Sequence, residues 1–181
     1  MRTFVVVSGL PAAGKTTVAA ALAQALSLPH FDKDFYLEAL FSSEGWADPI
    51  TRKALSVKAD DLFRKAAEAS DAAVLSSWWK HPASPRNSGT ATSWLSNRSK
   101  VIEVHCMSKP TTAARRFLER KRHLGHCDDR WSYSALLAML QEQELLGPLF
   151  PSSCLAVNTE HGIELQEVVP EVRDRLSSCD A

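Results

Sequence analysis

Apolar and polar positions along the chain alternate between short apolar runs and longer stretches of helical periodicity. Phe4, Val5, Val6 and Val7 form a run of β-branched character that stops at Gly9, which predicts a first strand. Residues 16–28 are rich in alanine and leucine, with Val18, Leu22, Ala25 and Leu26 recurring at spacings of three and four until Pro29 stops them, so a helix follows. Residues 29–34 predict a short second strand ending in Asp32 and Asp34. Helices are expected over 35–41 and 49–69, the latter with Asp48 as N-cap and Pro49 in its first turn. A third strand over 71–77 runs into Trp78 and Trp79, and 80–89 is a loop by its proline, serine and glycine content. Residues 90–97 predict a helix and 101–106 a fourth strand. Helices over 110–122 and 132–146 are broken at 124–129. A fifth strand over 155–158 precedes a closing helix over 163–176, with Leu165, Val168, Val169, Val172 and Leu176 on one face.

Strands alternating with helices imply an α/β protein, with a parallel sheet, right-handed crossovers and ligands beyond the carboxyl ends of the strands. Gly9, Asp32, Asp34, residues 76–80 and 106–109, and Asn158 should therefore ring one crevice. Between the first strand and the first helix stands Gly9-Leu10-Pro11-Ala12-Ala13-Gly14-Lys15-Thr16-Thr17, a G-x-x-x-x-G-K-T phosphate cradle. Unpaired amides of the loop and of the helix N-terminus converge on a polyphosphate, and the helix dipole favours its charge. Gly9 and Gly14 permit backbone geometry and close approach that a Cβ would obstruct. Lys15 can reach the β- and γ-phosphates, and the Thr16 hydroxyl can ligate Mg²⁺. ATP and Mg²⁺ are the expected cofactors, and the expected architecture is a three-layer α/β/α P-loop NTPase fold with a five-stranded parallel sheet and a helical lid.

Composition narrows the class. At 181 residues the chain fits one domain, 1–181, with a lid at about 115–130. Lys plus Arg equals Asp plus Glu at 21 each, so no global field draws in nucleic acid or membrane; a nucleic-acid partner stays open through local patches but is not favoured. Cys106, Cys127, Cys154 and Cys179 show no C-x-x-C spacing and read as free thiols of a cytoplasmic protein. The apolar run after Met1-Arg2 is shorter than a signal-peptide core, and no segment approaches a membrane span. A monomer or homodimer is expected.

The chemistry depends on the residues around the cradle. Motors and regulatory GTPases hold Mg²⁺ with an Asp ending an apolar strand. Here the third strand ends in Ser76-Ser77 and the fourth in His105-Cys106, which leaves Asp32 for the metal. Asp34, two residues on, would leave the same strand face and orient an attacking hydroxyl. The plainer alternatives are a solvated strand end for Asp32 and a helix N-cap for Asp34. Residues 109–130 carry seven basic and three acidic side chains, and Arg116 and Arg120, four apart, could share a helix face and deliver guanidinium charge from a lid; a solvated basic face is the alternative. His123, His126 and Cys127 lack the second ligand pair that zinc needs. Trp78 and Trp79 could stack on an acceptor ring, with one of the two in the core. Lys80, Arg86 and His126 complete the expected acceptor-binding set, and Arg116 and Asn158 the expected nucleotide set.

The segment from Gly9 to Thr17, the Asp32-Lys33-Asp34 element, the 116–128 stretch with its Arg-His-x-Gly-His run and the Val157-Asn158-Thr159 strand end resemble the small P-loop kinases labelled AAA-type ATP-binding proteins. Their relatives include polynucleotide 5′-hydroxyl kinases, chloramphenicol phosphotransferase and the gluconate and shikimate kinases. The resemblance implies that Asp34 acts as base toward the acceptor hydroxyl, that Lys15 and Thr16 hold phosphates and Mg²⁺, and that Arg116 and Arg120 serve the lid. It implies an ATP-dependent phosphotransferase acting on a small-molecule hydroxyl such as that of a nucleoside, sugar or antibiotic. A 5′-hydroxyl polynucleotide kinase and a non-catalytic ATP-binding module are the alternatives. Ala12-Ala13 stands where many relatives carry Gly-Ser, and no acceptor signature of the gluconate, shikimate or chloramphenicol enzymes is matched.

Overall fold

A computed structural model describes residues 2–95 and 99–177. Five strands form one parallel sheet: β1 (Arg2–Gly9), β2 (His30–Asp32), β3 (Ala72–Ser76), β4 (Ser99–Met107) and β5 (Cys154–Asn158), in the spatial order β2-β3-β1-β4-β5. Six α-helices lie among the described residues: α1 (Lys15–Leu26), α2 (Lys33–Glu44), α3 (Pro49–Glu68), α4 (Pro110–Glu119), α5 (Tyr133–Glu144) and α6 (Val168–Ser177). β1 lies at the centre because its apolar run is wanted on both faces. Val5 and Val7 join Val74, Ile102 and Val104 under α1, α4, α5 and α6, whereas Phe4 and Val6 join Ala73 and Leu75 under Phe63 and Ala67 of α3. α2 packs outside α3 through Leu37, Leu40 and Phe41 against Leu55 and Ala59. The result is the expected three-layer α/β/α fold.

Several boundaries differ from the sequence reading. β2 stops at Asp32, because the Asp32 carboxylate accepts the Asp34 amide at 2.9 Å and so caps a helix that starts at Lys33. Asp34 therefore lies in the first turn of α2 and not on a strand, and Asp32 is the N-cap. The helix expected over 90–97 does not form within 90–95: Thr90 pairs with Trp79 in an isolated bridge, its amide donating to Trp78 O and its carbonyl accepting from Lys80 N, both at 2.8 Å. Residues 96 and 97 lie outside the described residues. α4 ends at Glu119, where Arg120 turns extended at φ −70° and ψ 145°, and two 3₁₀ turns, Leu124–His126 and Asp128–Arg130, lead to α5. The closing helix starts at Val168, although Ile163 and Leu165 still pack on the core.

Cys106, Cys127 and Cys154 are free, while Cys179 lies outside the described residues. Among the described residues, no helix is long and apolar enough to cross a membrane.

Candidate active site

The loop after β1 is shaped by contacts that exclude side chains. Gly9 has φ +127°, and a Cβ there would stand 2.5 Å from Cys106 O, so only glycine lets β1 run this close to β4 before turning. Ala12 adopts φ 60°, an uncommon conformation for a residue with a side chain, and Gly14 at φ +90° is the N-cap of α1. Gly14 has no side chain to spend on the first amides of α1, so those donors stay directed at the loop. Lys15 folds over the same hollow, with Nζ donating to Gly9 O at 3.1 Å and Leu10 O at 2.8 Å.

Lys15 is where the charges of the crevice meet. Burial pushes its ammonium down to about 8; Cys106, Asp34 and Asp32 act against that shift, while Arg120 adds to it. An anion on this loop would restore what burial removes. The glycine geometry, the uncapped helix and the inward lysine together fit a polyphosphate tail.

Thr16 Oγ1 donates to Asp32 Oδ2 at 2.8 Å, the other Asp32 oxygen being the cap of α2. Among the described residues, no cluster of three His, Cys, Asp or Glu could hold a metal. Thr16 and Asp32 nevertheless supply the hard oxygen pair that magnesium takes when phosphates and waters complete its shell. Asp32 thus caps α2 with one carboxylate oxygen and meets Thr16 with the other.

Asp34 meets a residue that the sequence reading did not single out. Arg122 Nη1 donates to Asp34 Oδ2 at 2.6 Å, while its Nε and Nη2 grip both oxygens of Asp128 at 2.7 and 3.0 Å. Burial of Asp128 opposes its ionisation, but the bonds and charge of Arg122, with Arg120 behind, outweigh it and hold the carboxyl below its usual range. Arg120 lies 4.2 Å over the Phe117 ring and 3.3 Å from Asp128. Because the helix ends before it, Arg120 does not share a helix face with Arg116. Arg116 instead donates to Glu160 O at 2.8 Å. Asn158 also turns to this loop, its Oδ1 accepting Glu160 N at 2.9 Å. Glu160 itself accepts from Thr112, Ser108 and the Lys109 amide, which hold its carboxyl down at about 2, Thr112 most strongly.

The segment between α4 and α5 is pinned to α2 and α3. Arg52 donates to Gly125 O at 2.7 Å and His126 O at 3.1 Å, and the buried His126 ring sets Nε2 2.9 Å from Glu38 and its edge against Phe41. His126 therefore docks this segment. Burial lowers its pKa, with Arg122 adding to that and Glu38 opposing it.

The segment after β3 divides its residues. Trp79 is core: it is 7% exposed, packs on Phe63 and donates Nε1 to Val7 O at 2.9 Å. Trp78 is half-buried and walls a cavity of about 660 Å³. Lys80, also on that wall, is tied to Asn87, and Arg86 pairs with Glu142 outside it. The cavity reaches Gly9 and Leu10 from the β4 side of the loop, whereas Asp32 and Asp34 stand on the β2 side and do not line it. Its floor carries three polar residues not singled out from the sequence: Ser8, His105 and, beneath them, the fully buried Glu103. Burial works against ionisation of Glu103, yet bonds from His105, Ser8 and the amides of Leu149 and Phe150 prevail and keep its carboxyl below the usual range. A charged residue at an inward position of the run Val101 to Cys106 was the available signal.

No protein-family model matches the chain, and no curated protein matches it. Solved structures do share its fold. A protein described as a candidate kinase from Chloroflexus aurantiacus is 24% identical, with 96% of this chain and 97% of that one covered at a TM-score of 0.72. A shikimate kinase from Bacteroides thetaiotaomicron is 20% identical over 97% of this chain and 98% of its own, at a TM-score of 0.54. A gluconokinase from Sinorhizobium meliloti is 18% identical over 98% and 92%, at 0.50. At these identities the likeness is one of fold, and it extends over nearly the whole of each chain.

Proposed function

We propose that the chain transfers the γ-phosphoryl group of ATP, with Mg²⁺, to a hydroxyl of a small molecule. The observation that carries this reading is the convergence on Lys15: its ammonium on the Gly9 and Leu10 carbonyls, the Thr16–Asp32 pair beside it, and Asp34 and Arg120 close enough to act on its charge. The likeness to chains named as kinases agrees with it.

In this reading the loop amides and Lys15 hold the β- and γ-phosphates, and Arg116 and Asn158 flank the nucleotide at its far end. Thr16 and Asp32 would hold the metal, whose charge would offset that of the phosphates. The acceptor oxygen forms a bond to the γ-phosphorus as the bond to the ADP oxygen breaks, and Asp34 takes the hydroxyl proton late in the transfer. Arg120 and Arg122, carried by the connection between α4 and α5 within the lid expected at about 115–130, neutralise the equatorial oxygens and exclude water. The acceptor hydroxyl exchanges with Arg122 as the partner of Asp34. Three free thiols accord with a cytoplasmic setting.

Asp34→Asn tests this. Transfer to the acceptor should fall by about 10²- to 10⁴-fold, the usual worth of a positioned base, while nucleotide affinity stays within about twofold because the loop is untouched. Undiminished transfer in that variant would remove Asp34 from the reaction.

A further inference from the structure

The chain leaving β5 is fastened beside the phosphate loop. Thr159, which is 3% exposed, directs both its amide and its hydroxyl to Met107 O at 2.9 Å. Its side chain lies against Gly14, where a Cβ would stand 3.8 Å from Thr159 Cβ. This segment is thus bound to the end of β4 and passes alongside the start of α1. Glu160 follows, and its carboxylate reaches over to α4, where Lys109 offers no side-chain cap and Pro110 has no amide. One oxygen accepts the Lys109 amide at 2.9 Å and the Ser108 hydroxyl at 3.2 Å, and the other accepts the Thr112 hydroxyl at 2.5 Å.

The main chain of the same residue makes two more contacts. Glu160 O accepts Arg116 Nη2 at 2.8 Å, and Glu160 N donates to Asn158 Oδ1 at 2.9 Å. Thr112 and Arg116 stand four apart on α4 and share a face of it, so the side chain of Glu160 grips the first and its carbonyl the second. Arg116 is therefore placed by a carbonyl that stays put while the carboxylate is bound. The sign of the charge makes this informative. A carboxylate this near a loop shaped for polyphosphate opposes its ligand, and its three donors, Thr112 first, keep this one ionised. What Glu160 contributes must then come from geometry.

We infer that Glu160 is a positioning residue for the nucleotide: it ties the 158–160 segment to α4 and so presets Arg116 for the part of the nucleotide beyond the phosphates. The inference rests on the kinase reading, which puts Arg116 at that end, and deepens it. Without the carboxylate, Arg116 and the segment must be ordered at each binding event, and ordering one or two such side chains is worth about tenfold in affinity. The phosphates, held by the loop and Lys15, do not register that cost.

Calorimetric titration with two ligands, each with Mg²⁺, tests it: the β,γ-imido analogue of ATP, which has both ends, and inorganic tripolyphosphate, which has the phosphates alone. Glu160→Ala should bind the analogue about tenfold more weakly, yet bind tripolyphosphate as tightly as the wild type or more so, because a negative charge has gone. Intact tripolyphosphate binding also shows that the variant is folded around its loop. Glu160→Gln should keep both affinities within about threefold, since its oxygen can face Lys109 and Ser108 while its amide donates to Thr112, whose hydroxyl accepts as well as donates. In an Arg116→Ala background, Glu160→Ala should cost the analogue no more than about twofold further, as expected when one residue acts through the other. Equal losses of both ligands in Glu160→Ala would mean that Glu160 only holds the fold. No loss of either, tighter analogue binding in both variants, or losses that add fully to that of Arg116→Ala would overturn the assignment as well. Lys15→Ala reports separately on the kinase reading. It should weaken both ligands, and unweakened affinity for the analogue there, or tripolyphosphate that fails to bind the wild type, would sink that reading whatever Glu160 does.

Discussion

Lys15 shows what one half-buried charge implies for ligand binding. Its folded pKa of about 8 lies below the ordinary 10.5, chiefly through burial. Between those values the unfolded chain holds the extra proton, so the stability of the protein alone should rise with pH in that window. Nucleotide binding runs the other way. Phosphate oxygens favour the ammonium, so the complex has the higher pKa; below about 8 Lys15 is charged in both states and affinity is full. As pH climbs past that point the free protein must take up a proton to bind, and affinity should fall by up to about tenfold per unit. Calorimetric titration of the imido analogue from pH 7 to 9 checks this, with Lys15→Arg as the variant in which the slope disappears. A flat profile for the wild type would mean that Lys15 keeps its proton in the free protein through that range or does not face phosphate. The cradle was legible in the sequence because its chemistry is local: nine consecutive residues carry it. The partner of Asp34 was not. Arg122 stands 88 positions away, and it reaches Asp34 only because α4 stops at Glu119.

At the scale of elements, the junction of β2 and α2 carries two roles on one side chain. Reading 29–34 as a continuous strand put both carboxylates on one face, but an Asp placed two residues before a free amide is also a helix start signal, and that signal won. Capping and metal-side binding can be pulled apart. Asp32→Ala removes the cap and the Thr16 partner, and should cost about 1 kcal/mol of stability. Asp32→Asn keeps a capping oxygen, since asparagine caps as well as aspartate, but drops the charge. It should therefore unfold at nearly the wild-type denaturant concentration while requiring several-fold more Mg²⁺ for transfer. If both substitutions leave the Mg²⁺ requirement unchanged, Asp32 is a cap and nothing more. The missed element over 90–95 teaches the converse. Thr90 is held by Trp78, Lys80, Ser77 and Asp60, all distant in sequence, and these contacts override a weak local preference.

Across the whole molecule, the outer helix pair and the α4–α5 connection close on each other over the crevice. The sheet order and the three layers could be read from alternating apolar runs, yet this closure could not, because it depends on one glycine against one ring. Gly125 packs on Phe41, itself buried among Leu37, Leu40 and Leu55, and a Cβ at 125 would stand 2.4 Å from Phe41 Cδ2 and 2.7 Å from Cε2 and Cγ. Phe41 has no room to yield. Gly125→Ala should therefore lift the connection off α2, cost about 1–3 kcal/mol through overpacking, and draw with it the carbonyls that Arg52 holds and the His126–Glu38 contact. Arg52→Ala removes two of those ties without overpacking, so its stability cost should be smaller and its effect on the connection of the same sign. Amide hydrogen exchange over 124–130 should quicken in both variants while β1 and β4 stay protected. The connection carries Arg120 and Arg122 to the crevice, so both variants should lose transfer rate with nucleotide affinity kept within about twofold, because the phosphate loop rests on the central strands. Exchange unchanged in both would mean that the connection is held by the arginine cluster at Asp128 alone, and the docking on α2 and α3 would then have no part in closing the site.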